Sequence, residues 1–80
     1  MAVTRKLVFY TTAGCHLCEQ AASLLEELKR QQDVTVETVD IATDEKLVEL
    51  YGIRIPVILN AATDAELGWP FQYEDLVNLI

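Results

Sequence analysis

Positive charge is scarce in this sequence: Lys and Arg total 6 against 13 Asp and Glu, a formal net charge of −7. Long-range repulsion from polyanions argues against nucleic acid and anionic membrane surfaces as partners. Long apolar runs are also lacking, since none approaches the roughly 20 residues needed to span a bilayer. Arg5 and Lys6 precede an apolar run of only four residues, Leu7 to Tyr10, whereas a secretory signal needs an apolar region of about 7 to 15. A cytoplasmic location is therefore expected, and a permanent structural disulfide would be out of place there. Metal-ligating residues are few. One His and two Cys cannot complete a four-ligand zinc site within the chain.

What is present fits one small domain. The chain has 80 residues, 51% of them apolar, enough to bury a single modest core. Residues 1–80 are read as one domain without linker, repeat or low-complexity segment. "KLVFY", Lys6 to Tyr10, is short, branched and aromatic and reads as a buried strand. After Gly14 the period changes to that of a helix, with Leu17, Ala21, Leu24, Leu25 and Leu28 on the apolar face and Glu19, Gln20, Glu26, Glu27 and Arg30 opposite.

"VTVETV", Val34 to Val39, is rich in β-branched residues and reads as a second strand. A Thr43 or Asp44 cap, the apolar set Leu47, Leu50 and Tyr51, and Gly52 at the C′ position describe a short helix. Gly52 is expected to end it in a left-handed conformation. After Pro56, Val57 to Leu59 form a third strand, Asn60 to Asp64 a turn, Ala65 to Leu67 a brief return strand, and Tyr73 to Ile80 a closing helix. The order is β-α-β-α-β-β-α, an α/β fold with a mixed four-stranded sheet. Because helices separate the first three strands, the first two strand pairs are expected to be parallel with right-handed crossovers, and the last pair antiparallel.

The two cysteines stand in "GCHLC" as C-x-x-C at the head of the first helix. If Cys15 lies at or just before the first turn, Cys18 falls on the same face and the sulfurs can meet. The free N–H groups and the positive end of the helix dipole then stabilise a thiolate at Cys15; such motifs lower a thiol pKa from about 8.5 to roughly 3.5–7.5. Cys15 is the candidate nucleophile and Cys18 the resolving thiol. His16 is placed to modulate the Cys15 pKa, but a cation in the first turn opposes the dipole, so the helix N–H groups and the Cys18 thiol should outrank it.

Other readings of the pair stand beside this one. Free cysteines are often small core residues. A two-thiolate site also suits Cu(I), and a copper-carrying domain with C-x-x-C between first strand and first helix is the main alternative. It calls for a hairpin after the first helix rather than the helical segment Thr43 to Tyr51. A cluster bridged between two chains would need external thiols. Arg54 is a candidate source of positive potential near the thiolate. Trp69, Pro70 and Phe71 read as an apolar plug, and Glu74 and Asp75 as partners of the last helix dipole.

The opening strand, the C-x-x-C at the helix head and the Ile–Pro dipeptide before the third strand together resemble the thioredoxin fold. Within it, "GCHLC", "VDIATDEKLVELYGIRIPV" and "LGWPF" resemble a compact bacterial glutaredoxin-like family over nearly the whole chain. The resemblance implies a thiol–disulfide oxidoreductase working in electron transport through a Cys15–Cys18 dithiol–disulfide centre. It also implies a cis Ile55–Pro56 bond facing the cysteines, with the Ile55 main chain and Pro56 binding the substrate by local strand addition and Arg54 beside them. Implied partners are a disulfide-containing protein or glutathione-type thiol and a reductase or thiol electron donor. No bound cofactor or metal is implied, with glutathione one candidate reductant, and the chain is expected to act as a monomer. Glutaredoxins contact glutathione through an upstream lysine and a double glycine before the last helix; this chain has Thr12 and Gly68–Trp69.

Overall fold

A computed structural model describes residues 5–80. Its elements are β1 (Arg5–Thr11), α1 (His16–Gln31), β2 (Val34–Asp40), α2 (Glu45–Tyr51), β3 (Val57–Asn60), β4 (Glu66–Gly68) and α3 (Tyr73–Leu79), with one 3-10 turn, Ile41–Thr43, before α2. This is the β-α-β-α-β-β-α order expected from the periodicities. No helix among the described residues is long and apolar enough to cross a membrane.

The strands form one mixed sheet of order β2-β1-β3-β4. β1 and β2 are parallel, with Leu7 opposite Val36 and Tyr10 opposite Val39. β3 runs antiparallel to β1, Tyr10 facing Val57, and β4 antiparallel to β3. The expectation of a second parallel pair is therefore corrected: β3 does not pair with β2, and its direction is reversed. The reason lies in what the connection buries. Its Ile41 and Tyr51 pack with Val57 in one apolar cluster on which Tyr10 also rests. Burying that cluster holds the start of β3 beside the end of β1, Val57 opposite Tyr10, where β2 also finishes.

The sheet has an apolar layer on each face. Leu7 and Phe9 join Cys18, Ala21, Leu25 and Leu28 of α1, Leu76 of α3, and Val34, Ile58 and Phe71 in the larger core. Val57 joins Ile41 and Tyr51 in a smaller one, with Tyr10, Leu47 and Ile55 packed on it. Neighbouring strand residues thus serve opposite layers, as the pleat requires. Each fully buried Leu or Ile, such as Leu7, Leu28, Ile58 and Leu76, contributes about 1.5–3 kcal/mol relative to exposure.

Three local expectations shift. In α1 the buried stripe runs through Cys18 rather than Leu17, which is 44% exposed. In α2, capped by the Asp44 carboxylate accepting the Lys46 N–H at 2.9 Å, Tyr51 is buried but Leu50 is exposed. Gly52 ends α2 with right-handed geometry, φ −51°, not left-handed. A glycine suits it for another reason: a Cβ there would stand 2.5 Å from the Val48 carbonyl oxygen. Asn60, buried at the end of β3, ties the far end together by donating to the Leu79 carbonyl at 2.8 Å and accepting the Ala62 N–H at 2.9 Å.

Candidate active site

β1 delivers the chain to the turn Thr12–Gly14, and Gly14, at φ +79°, takes the left-handed conformation that a side chain disfavours. The next residue, Cys15, is the N-cap of α1. Its backbone is extended, and its Sγ accepts the Cys18 N–H at 3.1 Å while its carbonyl accepts the Glu19 N–H at 3.2 Å. A sulfur thus occupies the position where a serine or aspartate oxygen usually caps a helix. One turn on, Cys18 lies on the same face, and the two cysteines form a disulfide across a Cα–Cα distance of 5.2 Å. They are unequal: Cys18 is 4% exposed within the larger core, whereas Cys15 is half-buried against its edge.

An open cavity of about 260 Å³ adjoins the pair, lined by Phe9, Thr11, Thr12, Ala13, Gly14, Cys15, Cys18, Glu19 and Ala22. Of the residues singled out from the sequence, Cys15 and Cys18 line it; His16, Arg54, Ile55 and Pro56 do not. His16 points into solvent, its side chain 93% exposed and its Nδ1 3.7 Å from Glu19 Oε2. The Ile55–Pro56 bond is cis, as the resemblance implied. Pro56 is fully buried, and Ile55, half-buried, packs against both apolar layers, the larger of which also carries Cys15.

Arg54 is engaged on the α2 side of the molecule. Its guanidinium lies 3.2 Å from Glu66 Oε2 and 5.3 Å over the Tyr51 ring. Tyr51 stacks on Tyr10 with ring centroids 4.3 Å apart and donates its hydroxyl to Glu66 Oε1 at 3.1 Å. Burial first, and then the adjoining Glu66 carboxylate, push the Tyr51 hydroxyl up to about 12. Among the described residues, no group of three or more His, Cys, Asp or Glu stands close enough to hold a metal ion.

Two features were not singled out from the sequence. One is the cavity lining by Thr11 and Glu19, whose signal was only proximity to the cysteines. The other is a second cis bond, Trp69–Pro70. Nothing in the periodicity marks it, and X–Pro bonds in folded proteins are cis in only about 5–6% of cases. The two proline loops are neighbours, since the Trp69 N–H donates to the Pro56 carbonyl at 3.2 Å. Phe71 is the buried plug, with Trp69 half-buried and edge-on to it at 5.0 Å.

The mixed sheet of order β2-β1-β3-β4, the disulfide at the head of the first helix and the cis proline leading into β3 define a thioredoxin-like fold. A solved structure of a mutant thioredoxin from Halobacterium salinarum shares it, with TM-score 0.74 at 22% identity over 95% of this chain and 71% of that one. The family described as Glutaredoxin-like domain (DUF836) matches residues 6–80, and the chain belongs to that family. The structure of protein XcR50 from X. campestris is similar at 36% identity, covering 88% of each chain, with TM-score 0.76. Protein Ne2328 from Nitrosomonas europaea is similar at 35% identity, covering 98% of this chain and 92% of that one, with TM-score 0.80. No curated protein matches the chain significantly.

Proposed function

We propose that this protein is a thiol–disulfide oxidoreductase of the cytoplasm, with Cys15 as nucleophile and Cys18 as resolving thiol. The observation that carries the reading is Cys15 at the N-cap of α1: a half-buried sulfur receiving a helix N–H and bonded to a buried partner one turn along. In the reduced protein the same N–H and the helix dipole stabilise the Cys15 thiolate.

The chemistry balances within the pair. The Cys15 thiolate attacks one sulfur of a substrate disulfide, forming a mixed disulfide and expelling a thiolate that takes up a proton. Cys18 then gives up its proton and attacks Cys15 Sγ, closing the intramolecular disulfide and releasing the second substrate thiol. The substrate gains two electrons from the cysteine pair and two protons, one from Cys18 and one from the solvent to which Cys15 had released its own. A thiol of the glutathione class or a dithiol reductase returns them. The Ile55 carbonyl beside Pro56 is offered to an extended substrate segment, its N–H being taken by the Tyr51 carbonyl at 3.0 Å, and His16 modulates the thiolate weakly from solvent.

The copper-carrying alternative fits less well, because α2, not a hairpin, separates β2 from β3. Mass spectrometry of cysteine variants tests the proposal. With a disulfide substrate, Cys18→Ser should accumulate a covalent adduct on Cys15, while Cys15→Ser should form none and lose disulfide reduction. Adducts on Cys18 with activity retained in Cys15→Ser would reverse the two roles. Stoichiometric Cu(I) binding with no disulfide exchange under any donor would favour the alternative.

A further inference from the structure

We infer that the cavity beside Cys15 selects disulfides carrying a cationic group close to the sulfur, with Glu19 as the specificity-determining residue. The inference rests on the oxidoreductase reading and deepens it by naming a substrate class. Apart from the cysteines, Glu19 is the one ionisable side chain among the described residues that line the cavity. It lies in the first turn of α1, four residues beyond the nucleophile. Its neighbour is the His16 imidazole at 3.7 Å, and with side chains 93% and 79% exposed such a pair holds its members only loosely. The Glu19 carboxylate is thus free to turn toward a ligand.

Among the described residues, no Lys or Arg lines the cavity to oppose this preference. Lys6, Lys29, Arg30 and Arg54 stand instead beside Glu37, Glu26, Glu27 and Glu66. The net charge of −7 adds a long-range field that attracts cations and repels anions on approach. A disulfide bearing carboxylates near its sulfurs meets like charge at short range; one bearing ammonium groups meets its complement. For each disulfide reduced, Cys15 and Cys18 are oxidised together and two protonated aminothiols leave.

Three disulfides of similar size separate charge from fit: cystamine (cationic), bis(2-hydroxyethyl) disulfide (neutral) and 3,3′-dithiodipropionate (anionic). The reduced full chain is mixed with each, quenched in acid, and Cys15–Cys18 oxidation is counted by mass, for wild type and for Glu19→Gln. Rates are normalised to the neutral disulfide within each protein. Comparing the two proteins then cancels the different leaving abilities of the three thiols.

One unit charge acting at roughly 4 Å through water changes a rate about fivefold. The normalised cystamine rate should therefore fall about fivefold in Glu19→Gln, and the normalised dithiodipropionate rate should rise about as much. Salt at about 0.5 M should compress both differences in wild type. Oxidation by all three disulfides with identical normalised rates in the two proteins would overturn charge selection by Glu19 and leave the oxidoreductase reading intact. Failure of all three to oxidise the pair would overturn both.

Discussion

The N-cap position of Cys15 carries a stability test separate from turnover. Its Sγ accepts the Cys18 N–H at 3.1 Å at the head of the 16-residue α1. Serine in its place offers an oxygen to the same N–H, whereas alanine leaves that donor without a protein partner. Replacing an N-cap acceptor by alanine costs about 0.5–2 kcal/mol, typically about 1. Cys15→Ser and Cys15→Ala both lack the disulfide, so the chain-entropy contribution of the cross-link cancels between them. For a domain of this size, about 1 kcal/mol moves Tm by roughly 4–8 °C. Thermal unfolding of the two variants by circular dichroism, with reductant present, should therefore place Cys15→Ser above Cys15→Ala by that margin. The consequence reaches function, because the N–H that caps α1 is the one assigned to stabilise the thiolate. Equal Tm values would refute the cap and remove that account of how Cys15 is activated.

Other consequences follow from groups away from the cysteines. Tyr51, pushed up to about 12, keeps its proton in the folded state where the unfolded chain, titrating near 10, has lost it. The folded state then binds more protons, so stability should fall as pH rises from about 10 to 12. Tyr51→Phe should flatten that limb in urea midpoints, and an unchanged slope would place the alkaline loss elsewhere. Asn60→Ala removes two side-chain hydrogen bonds, to Leu79 and Ala62, and should cost about 1–3 kcal/mol; an unchanged urea midpoint would show that they do not hold α3. His16→Ala should move the midpoint of Cys15 thiolate absorbance by less than about one pH unit, because the imidazole is almost wholly in solvent. A rise of two units would make His16 a charged activator.

The features legible in the sequence were those fixed by neighbours along the chain. α1 announced itself because its apolar stripe repeats over four turns. The cysteine pair was legible because a cap and its i+3 partner belong to one turn, and Asp44 capped α2 for the same local reason. Within α1, periodicity put Leu17 on the apolar face, one residue away from the position that is buried. The structure buries Cys18 in the larger core and leaves Leu17 in solvent.

What escaped the sequence depended on distance through space. The reversed β3 follows from the packing of Ile41 and Tyr51 with Val57, a contact across the connection that pattern matching does not weigh. Arg54 shows the same limit at the level of charge. Its position beside Ile55 and Pro56 suggested positive potential for the thiolate, yet Glu66, twelve residues later, and the Tyr51 ring hold the guanidinium on the α2 side. The cavity at the cysteines is left with Glu19 as its charged wall. In the proposed function the nucleophile is thus specified locally, by a cap that any C-x-x-C at a helix head can form, whereas the proposed substrate choice rests on the Glu19 wall and on Glu66 holding Arg54 away from it. Families that share the first feature can differ in the second, so the electron donor and substrate of this protein are to be sought through the charge around Cys15 rather than through its motif.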